Sequence, residues 1–236
     1  MPKQDFTSSE AILLRKFPYK EAGAIFTLFT RKYGLVDFIG KGVYSSKNSK
    51  MASALEAANL IEIQYFYREG RSLQIPKRVI LKDDFHSIKE NYDKFFMIAG
   101  LFKEIRQIMA KEDPHRDIFI ELKAFLKLFG DLNDSDSDFA ILKFKIYLLE
   151  ELGYLPDFKN CSRCKKAAEH FNFSRNSGSL LCDDCRGYDS NLIELDGGSI
   201  ELLRNIRTSL HIIEERNPNM ESLFAEILEY IHSRIR

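Results

Sequence analysis

The sequence has 236 residues, 44% of them hydrophobic, which suffices for one large domain or two small ones with separate cores. No apolar run reaches the roughly 18 residues that a membrane-spanning helix needs, and the polar start MPKQDFTSSE lacks the apolar core of a signal peptide, so we expect a cytoplasmic protein. The net charge of zero hides an asymmetry, because residues 1–80 carry 13 Lys and Arg against 7 Asp and Glu, which indicates a polyanionic partner unless two domains differ by chance.

The first 80 residues are typical of a small β-barrel. Turn residues separate five segments rich in Ile, Leu, Val, Phe, Tyr and Thr, at residues 11–19, 23–30, 35–44, 59–67 and 72–81. In the fourth segment Ile61, Ile63 and Tyr65 alternate with polar residues, which is the pattern of a half-buried strand. An open sheet of such short strands would leave its edges exposed, so we predict a closed barrel in a domain covering residues 1–80.

The spacing of hydrophobic residues becomes helical from about residue 84. The predicted helices cover residues 95–109, 114–129, 141–152, 200–210 and 220–235. Asp113 and Pro114 predict the start of the second helix, as N-cap and first helical residue, and Gly130 its end. Gly153 similarly predicts the end of the third helix. We therefore expect an α-helical domain over residues 81–236.

The acidic run DLNDSDSD, residues 131–138, has the composition of a calcium-binding loop. It lacks the Gly at position 6 and the Glu at position 12 that an EF-hand loop requires, whether counted from Asp131 or from Asp134. We therefore predict a solvated loop between two helices, with an Asp or Ser as helix cap.

All four cysteines lie in one window, NCSRCKKAAEHFNFSRNSGSLLCDDC. Cys161 and Cys164 form one C-x-x-C pair, and Cys182 and Cys185 form a second pair after 17 intervening residues. In a reducing compartment this spacing is that of a zinc site with four thiolates rather than of disulfides. Each tight turn presents two thiolates, and a hairpin with the turn RNSG brings the two turns around one Zn²⁺ ion.

Four thiolates complete the tetrahedral coordination of zinc, so we predict a structural role, in a zinc ribbon at about residues 158–190. A redox dithiol is the alternative, although neither pair lies in the strand-to-helix context of such motifs. An iron–sulfur cluster is a further alternative. His170 lies inside the window and is either a spare ligand or an exposed hairpin residue.

Three motifs, spread over most of the chain, occur together in the order of one known family. The first, AILLRKFPYKEAGAIFTLFTRKYGLVDFIGKG, is carried by Arg15, Pro18, Tyr19, Glu21, Thr30, Arg31, Gly34, Lys41 and Gly42. The second, LLEELGYLPDFKNCSRC, joins a helix to the first Cys pair, and the third, GSLLCDDC, contains the second pair. In these motifs the chain resembles the RecO family of bacterial DNA repair and recombination proteins. Residues 82–140 and 190–236 add only a compatible helical pattern.

The resemblance implies an N-terminal OB fold, an α-helical body and a recombination mediator that is not an enzyme. Such proteins bind single- and double-stranded DNA, anneal complementary strands and help RecA load onto DNA coated with the single-strand binding protein SSB. The implied partners are RecR, the SSB C-terminal tail and often RecF, and the implied location is the nucleoid in the cytoplasm. The sequence contains no nucleophile–base set, P-loop or dinucleotide fingerprint.

An OB barrel binds single strands by combining a positive groove with stacking aromatic rings. The candidate phosphate contacts are Arg15, Lys16, Arg31, Lys32, Lys41, Lys47 and Lys50. The candidate stacking residues are Phe17, Tyr19, Tyr33 and Tyr44, with a core position favoured for Phe17 and Tyr19 because they lie in a strand. Family members usually carry arginines after the Lys-Gly pair, where this chain has Val-Tyr-Ser-Ser at residues 43–46; we therefore expect binding to depend more on partners such as RecR.

The acidic SSB tail ends in an apolar residue, so its receiver needs a hydrophobic pocket rimmed by Lys or Arg. The candidates are Lys123, Lys127, Lys143 and Lys145, near Phe125 and Phe129. Ordinary exposed faces of amphipathic helices are the alternative explanation of these lysines.

Three other functions stay open at this point. An RNA-binding protein with an OB fold and a zinc site would prefer RNA to single-stranded DNA. A metal-dependent hydrolase would lose its activity when a loosely bound divalent ion is removed. A scaffold whose barrel binds only protein would show no salt-dependent binding of DNA.

Overall fold

A computed structural model of the chain describes residues 4–45, 48–156, 158–187, 189–195, 197–198, 200–201 and 228–230. The chain divides into two compact units, Met1–Asp134 and Ser135–Arg236. Within the described residues, no helix combines the length and apolar character that crossing a bilayer requires.

The first unit begins with a five-stranded antiparallel sheet. Its strands are β1 (Gln4–Tyr19), β2 (Gly23–Thr30), β3 (Gly34–Gly40), β4 (Leu60–Arg68) and β5 (Pro76–Asp83), in the order β3-β2-β1-β4-β5. The 16-residue β1 pairs with β4 from Gln4 to Ile12 and with β2 from Ala11 to Tyr19. Its register shifts between Leu13 and Arg15, a bulge that lets one strand serve two partners.

The sheet closes on itself through Gln74, which precedes β5. The Gln74 amide donates to the Asp37 carbonyl at 2.8 Å, and the Gln74 carbonyl accepts from the Ile39 amide at 2.9 Å. Helix α1 (Ser49–Ala54) joins β3 to β4, as in an OB fold. The predicted barrel and its OB topology are therefore confirmed.

The barrel interior is filled by the alternate residues of its strands. Phe26 and Phe38 stack with their ring centroids 5.5 Å apart, and Tyr65 meets Phe38 edge-on at 4.9 Å. All three are fully buried, and Leu55, which follows α1, joins the same cluster. The prediction that Ile61, Ile63 and Tyr65 share the buried face of one strand is therefore confirmed on β4.

Further helices of the first unit are α2 (His86–Glu90), α3 (Tyr92–Ile108) and α4 (Arg116–Phe129). The predicted start of α4 at Asp113 and Pro114 is wrong, because His115 is the residue before the helix. The preceding segment runs beside β3 instead: the Glu112 amide donates to the Leu35 carbonyl at 3.0 Å. A Cβ on Gly34 would lie 2.0 Å from the Asp113 carbonyl oxygen, so this close approach requires glycine.

Helix α5 spans Asp134–Glu151, seven residues longer at its start than the predicted helix. The acidic run is therefore only partly a loop, since residues 134–138 form the first turn of α5. Carboxylates are favourable there because they face the positive end of the helix dipole. The helix ends before Gly153, whose φ of +74° is the left-handed conformation that glycine allows at a helix terminus.

The second unit contains a small sheet of β6 (Phe171–Ser174), β7 (Ser179–Leu181) and β8 (Leu192–Leu195), in the order β7-β6-β8. The pair of β6 and β7 confirms the predicted hairpin in the cysteine window. The third strand, β8, was not predicted. The predicted helices at 200–210 and 220–235 lie almost entirely outside the described residues.

Candidate metal centre and nucleic-acid interface

Each C-x-x-C pair is held in a tight backbone turn. The Cys161 carbonyl accepts from the Lys165 amide at 2.9 Å, and Lys165 has a φ of +62°. The Cys182 carbonyl accepts from the amides of Cys185 and Arg186 at 2.9 and 3.0 Å. Both turns therefore place two sulfur atoms on one side of a short loop.

Strand β7 brings the two turns together. The Ser162 amide donates to the Leu180 carbonyl at 2.8 Å, and the Leu180 amide donates back to the Ser162 hydroxyl at 3.2 Å. Cys182 follows β7 directly, and its amide donates to the Cys161 sulfur at 3.4 Å. The hairpin thus fixes the first turn against the second.

The four sulfur atoms form a cluster that fits a tetrahedral metal ion. The Sγ atoms of Cys161, Cys164, Cys182 and Cys185 all lie within 4.8 Å of one another. The Cys164 and Cys182 sulfurs are 3.8 Å apart, close to the separation of about 3.8 Å that follows from Zn–S bonds of about 2.3 Å in a tetrahedron. His170 is exposed and does not belong to this cluster.

The thiols of the cluster differ in acidity. Burial raises the pKa of Cys161, but hydrogen bonds to its sulfur from the backbone amides of Cys164, Cys182 and Arg163 outweigh burial and lower the pKa to about 6. The hydrogen bond with the Cys182 side chain, together with burial, raises the pKa of Cys185 to about 12. A metal ion would therefore meet a thiolate at Cys161 and displace the proton of Cys185.

A second group of side chains lies at the C-terminal end of β1 on the barrel. The Arg15 guanidinium is 5.0 Å from the centroid of the Phe17 ring, and the Lys16 ammonium is 5.5 Å from that of Tyr44. Lys20, which the sequence analysis did not single out, lies 5.5 Å from the ring of Tyr19. Cations and aromatic rings are thus paired along this end of the strand.

These rings are exposed, so the core position favoured for Phe17 and Tyr19 is wrong. Phe17 is 36% exposed, Tyr19 37% and Tyr44 45%. The physical reason is that β1 pairs with β4 only as far as Ile12, so its last residues pair with β2 alone and form an edge of the sheet. Tyr33 differs, because it is half-buried and stacks on Tyr67 at 4.6 Å.

Lys41 lies near this group, in a pocket of about 1110 Å³ that Tyr19 and Lys20 also line. Among the other predicted phosphate contacts, Arg31 pairs with Glu10 at 3.5 Å and the Lys32 ammonium is 3.5 Å from the Thr7 hydroxyl. Lys50 is exposed on α1. Lys47 lies outside the described residues. The structure therefore brings Lys41 together with Tyr19 and Lys20, and it engages Arg31 elsewhere.

The residues predicted to receive the SSB tail do not form one exposed set. Phe129 is fully buried, and Lys143 is 3% exposed, which lowers the pKa of its amine. Lys123 pairs with Glu10 at 2.7 Å. Lys127 is exposed on α4. Helical spacing alone did not distinguish the buried lysine from the exposed one.

Two family domains match the sequence, and together they cover most of it. The domain described as Recombination protein O N terminal matches residues 4–85, and Recombination protein O C terminal matches residues 96–235. The chain belongs to the RecO family. The match extends to residue 235, whereas the sequence motifs offered only a compatible pattern over residues 190–236.

Several relatives in the RecO family are similar over most of their length. A protein named DNA repair protein RecO from Thermodesulfovibrio yellowstonii is 33% identical over 97% of this chain and 91% of its own. A protein of the same name from Syntrophobacter fumaroxidans is 26% identical over 98% of this chain and 93% of its own. One from Caldanaerobacter subterraneus is 28% identical over 76% of this chain and 71% of its own.

Proposed function

We propose that the protein is a DNA-binding recombination mediator that works in recombinational repair, in the RecF pathway, without a catalytic step. In this proposal it binds single- and double-stranded DNA, anneals complementary strands and, with RecR, helps RecA load onto DNA coated with SSB. The SSB C-terminal tail is a further partner, and RecF and RecA are additional candidates. Membership in the RecO family and the repeated name DNA repair protein RecO among relatives support this role.

The observation that carries the proposal is the pairing of cations with exposed rings at the end of β1. The pairs are Arg15 with Phe17, Lys16 with Tyr44 and Lys20 with Tyr19. A lysine or arginine beside an exposed ring can neutralise a phosphate while the ring stacks on the neighbouring base. This combination needs no base-specific hydrogen bonds, which suits a protein that must act on any sequence.

The proposed DNA contacts extend along the barrel from this group. Lys41 belongs to it by the shared pocket. The remaining proposed contacts are Arg31, Lys32, Lys47 and Lys50. Annealing requires that the charge of two polyanionic strands be neutralised before they can approach, and lysines and arginines supply this without chemistry.

We also propose that the four cysteines bind one Zn²⁺ ion per chain, with Cys161, Cys164, Cys182 and Cys185 as ligands. The separations of their sulfur atoms support this assignment. When bound, zinc supplies four bonds that hold both turns on the hairpin, in place of the large core that so small a sheet lacks. In this scheme residues 1–80 are the nucleic-acid-binding module and residues 81–236 the helical module with its zinc ribbon.

The decisive experiment is annealing of two complementary oligonucleotides precoated with SSB, with and without the protein, at two salt concentrations. Acceleration that decreases with salt is the expected result, because phosphate contacts release counterions. A matched reaction containing RecR tests whether the partner raises the rate.

Absence of acceleration in both reactions would contradict the mediator proposal. A parallel binding assay with RNA and single-stranded DNA of the same sequence tests the alternative function. Clear preference for RNA would assign the barrel to an RNA-binding protein with a zinc site.

A further inference from the structure

Two exposed aromatic rings and a lysine form a separate patch at the other end of β1. We call Phe6, Phe66 and Lys77 the aromatic–lysine patch. Phe6 and Phe66 are directly opposite on β1 and β4, with ring centroids 5.2 Å apart. The Lys77 ammonium lies 5.7 Å from the Phe6 ring centroid and 5.1 Å from that of Phe66. One cation therefore covers two rings.

Both rings of the patch lie on the outside of the barrel. Phe6 is 55% exposed and Phe66 39%, whereas their neighbours Thr7 and Tyr65 are buried in the barrel. Alternation along the strands therefore points Phe6 and Phe66 outward. Two large apolar side chains side by side on an outer surface are typical of a binding site.

The outer surface around the patch carries uncompensated positive charge. Two carboxylates on the outer side of β1 and β4 are paired: Glu62 with Lys82 at 2.7 Å, and Glu10 with Lys123 at 2.7 Å. Lys77 and Arg78 have no carboxylate partner among the residues that the structure describes. The patch is thus complementary to an anion that also presents flat apolar faces.

Single-stranded nucleic acid is the ligand that combines these two properties, because each phosphate is followed by a base with two π-faces. The patch is also remote from the first group along the strand. Phe6 and Lys16 are ten residues apart on β1, which corresponds to roughly 30 Å along the strand at about 3.3 Å per residue. Bases stacked on Phe6 and on Tyr44 would therefore lie at opposite ends of β1.

We propose that the aromatic–lysine patch is a second binding site for single-stranded nucleic acid, which stacks bases on Phe6 and Phe66 and places phosphates on Lys77 and Arg78. The inference rests on the proposed function, since annealing brings two strands to one protein. The first strand occupies the Lys16–Tyr44 end of the barrel, and the second strand, or a distant part of the same one, occupies the patch.

Two variants test the patch independently. Phe6→Ala combined with Phe66→Ala removes the stacking surface, and Lys77→Glu reverses the charge while leaving both rings. The matched control is Tyr92→Ala with Phe96→Ala on α3. These rings are 79% and 70% exposed and stack at 6.5 Å, but the structure places no cation over them in its described part. Thermal unfolding establishes that each variant folds, and Lys77→Glu keeps the test valid if the double variant does not.

The probe is an oligodeoxythymidylate that contains 2-aminopurine, whose fluorescence reports stacking on a ring. The wild type and the control should bind two equivalents of the oligonucleotide. In both patch variants the second binding step should weaken, while the first step stays within about twofold. In the double alanine variant the loss should be at least about fivefold, as expected for one stacked base. Annealing should slow in parallel.

The outcomes separate this inference from the proposed function. Failure of the wild-type protein to bind the oligonucleotide overturns both. Two outcomes overturn the inference alone. One is tight binding by the wild type with an unchanged second step in the patch variants. The other is an equal loss in the Tyr92 and Phe96 control.

Discussion

Lys16 and Tyr44 form the residue pair whose loss should be simplest to interpret in DNA binding. Because the ammonium lies over an exposed ring, one substitution should remove a proposed phosphate contact and loosen a proposed stacking surface. Lys16→Glu should weaken binding of single-stranded DNA to a similar degree for all sequences. It should also reduce the salt slope of binding by about 1.

The measurement for Lys16→Glu is the binding constant at several salt concentrations, with Lys103→Glu as control. Lys103 is exposed on α3, and its substitution makes the same charge change at a position outside β1. An unchanged slope in Lys16→Glu would place the phosphate contacts on another surface of the barrel.

Lys94 is a buried cation with a structural role. Its side chain is 6% exposed, and its ammonium donates to the Gly130 carbonyl at 2.8 Å and to the Leu132 carbonyl. These oxygens lie at the C-terminal end of α4, where a positive charge is favourable. Lys94→Met should lower the free energy of unfolding by about 2 kcal/mol, since it leaves buried carbonyl groups without a donor.

Urea unfolding of Lys94→Met against Lys103→Met measures this effect, because Lys103 is an exposed lysine of the same helix. Equal midpoints for the two variants would mean that water replaces the ammonium at no cost.

For single residues, residue type and spacing predicted that the four cysteine side chains come together, but they did not predict which aromatic side chains are exposed. A cysteine cluster is local, so its spacing carries most of the information. The exposure of Phe17 depends on where β4 stops pairing with β1, which no pattern around Phe17 contains. Lys143 is the converse case, a lysine that helical spacing placed on a surface and the fold buries.

Among the elements, the hairpin of β6 and β7 should depend most on the proposed zinc ion. Its strands have four and three residues, too few to form a stable sheet without further support. Cys161→Ser or Cys182→Ser should therefore lower the zinc content below one ion per chain and destabilise the hairpin. Metal analysis of the purified variants measures the first effect.

His170→Ala is the matched control for the cysteine variants, since His170 lies in the same window but outside the sulfur cluster. This variant should keep its full zinc content. Full zinc in both cysteine variants, or loss of zinc in His170→Ala, would refute the assignment of the four ligands.

Elements were predictable where periodicity extended over many residues. The barrel strands and α3 repeat their pattern over several turns or pairs, and both were found. Strand β8 has only four residues, and its partner β6 precedes the second Cys pair, so its sequence carried no signal of pairing. The start of α4 was missed because the bridge between Leu35 and Lys111 overrides a favourable capping pair.

For the whole molecule, the two compact units predict separate responses to metal removal. Chelation should increase amide hydrogen exchange in β6, β7 and β8, because a metal that binds only the folded form stabilises the unit that holds it. The amides of β1 to β4 should keep their protection. Hydrogen exchange measured by mass spectrometry, before and after chelation, distinguishes the two regions.

Faster exchange in β1 after chelation would contradict this separation. The wild-type protein with zinc restored is the control, and its exchange should return to the initial pattern. Binding of single-stranded DNA by the barrel should survive chelation for the same reason.

The order of modules was predictable at this scale because each has its own periodicity and its own composition. The boundary between compact units was not, since the sequence changes from strand to helix near residue 84 whereas the first unit continues to Asp134. Helices α2 to α4 are helical in pattern but belong to the unit that contains the barrel. In this chain the change from strands to helices and the boundary between compact units therefore lie at different positions.

The long strand β1 also determines the order in which the barrel assembles. Its pairing with β2 needs only the closure of a short turn, whereas its pairing with β4 joins Gln4 to Arg68 across the whole intervening chain. Since closure of a longer loop costs more entropy, the meander of β1, β2 and β3 should form first in folding. The connection through Gln74 should form last. During synthesis on the ribosome, the edge of β1 that pairs with β4 should stay open until residues 60–68 emerge.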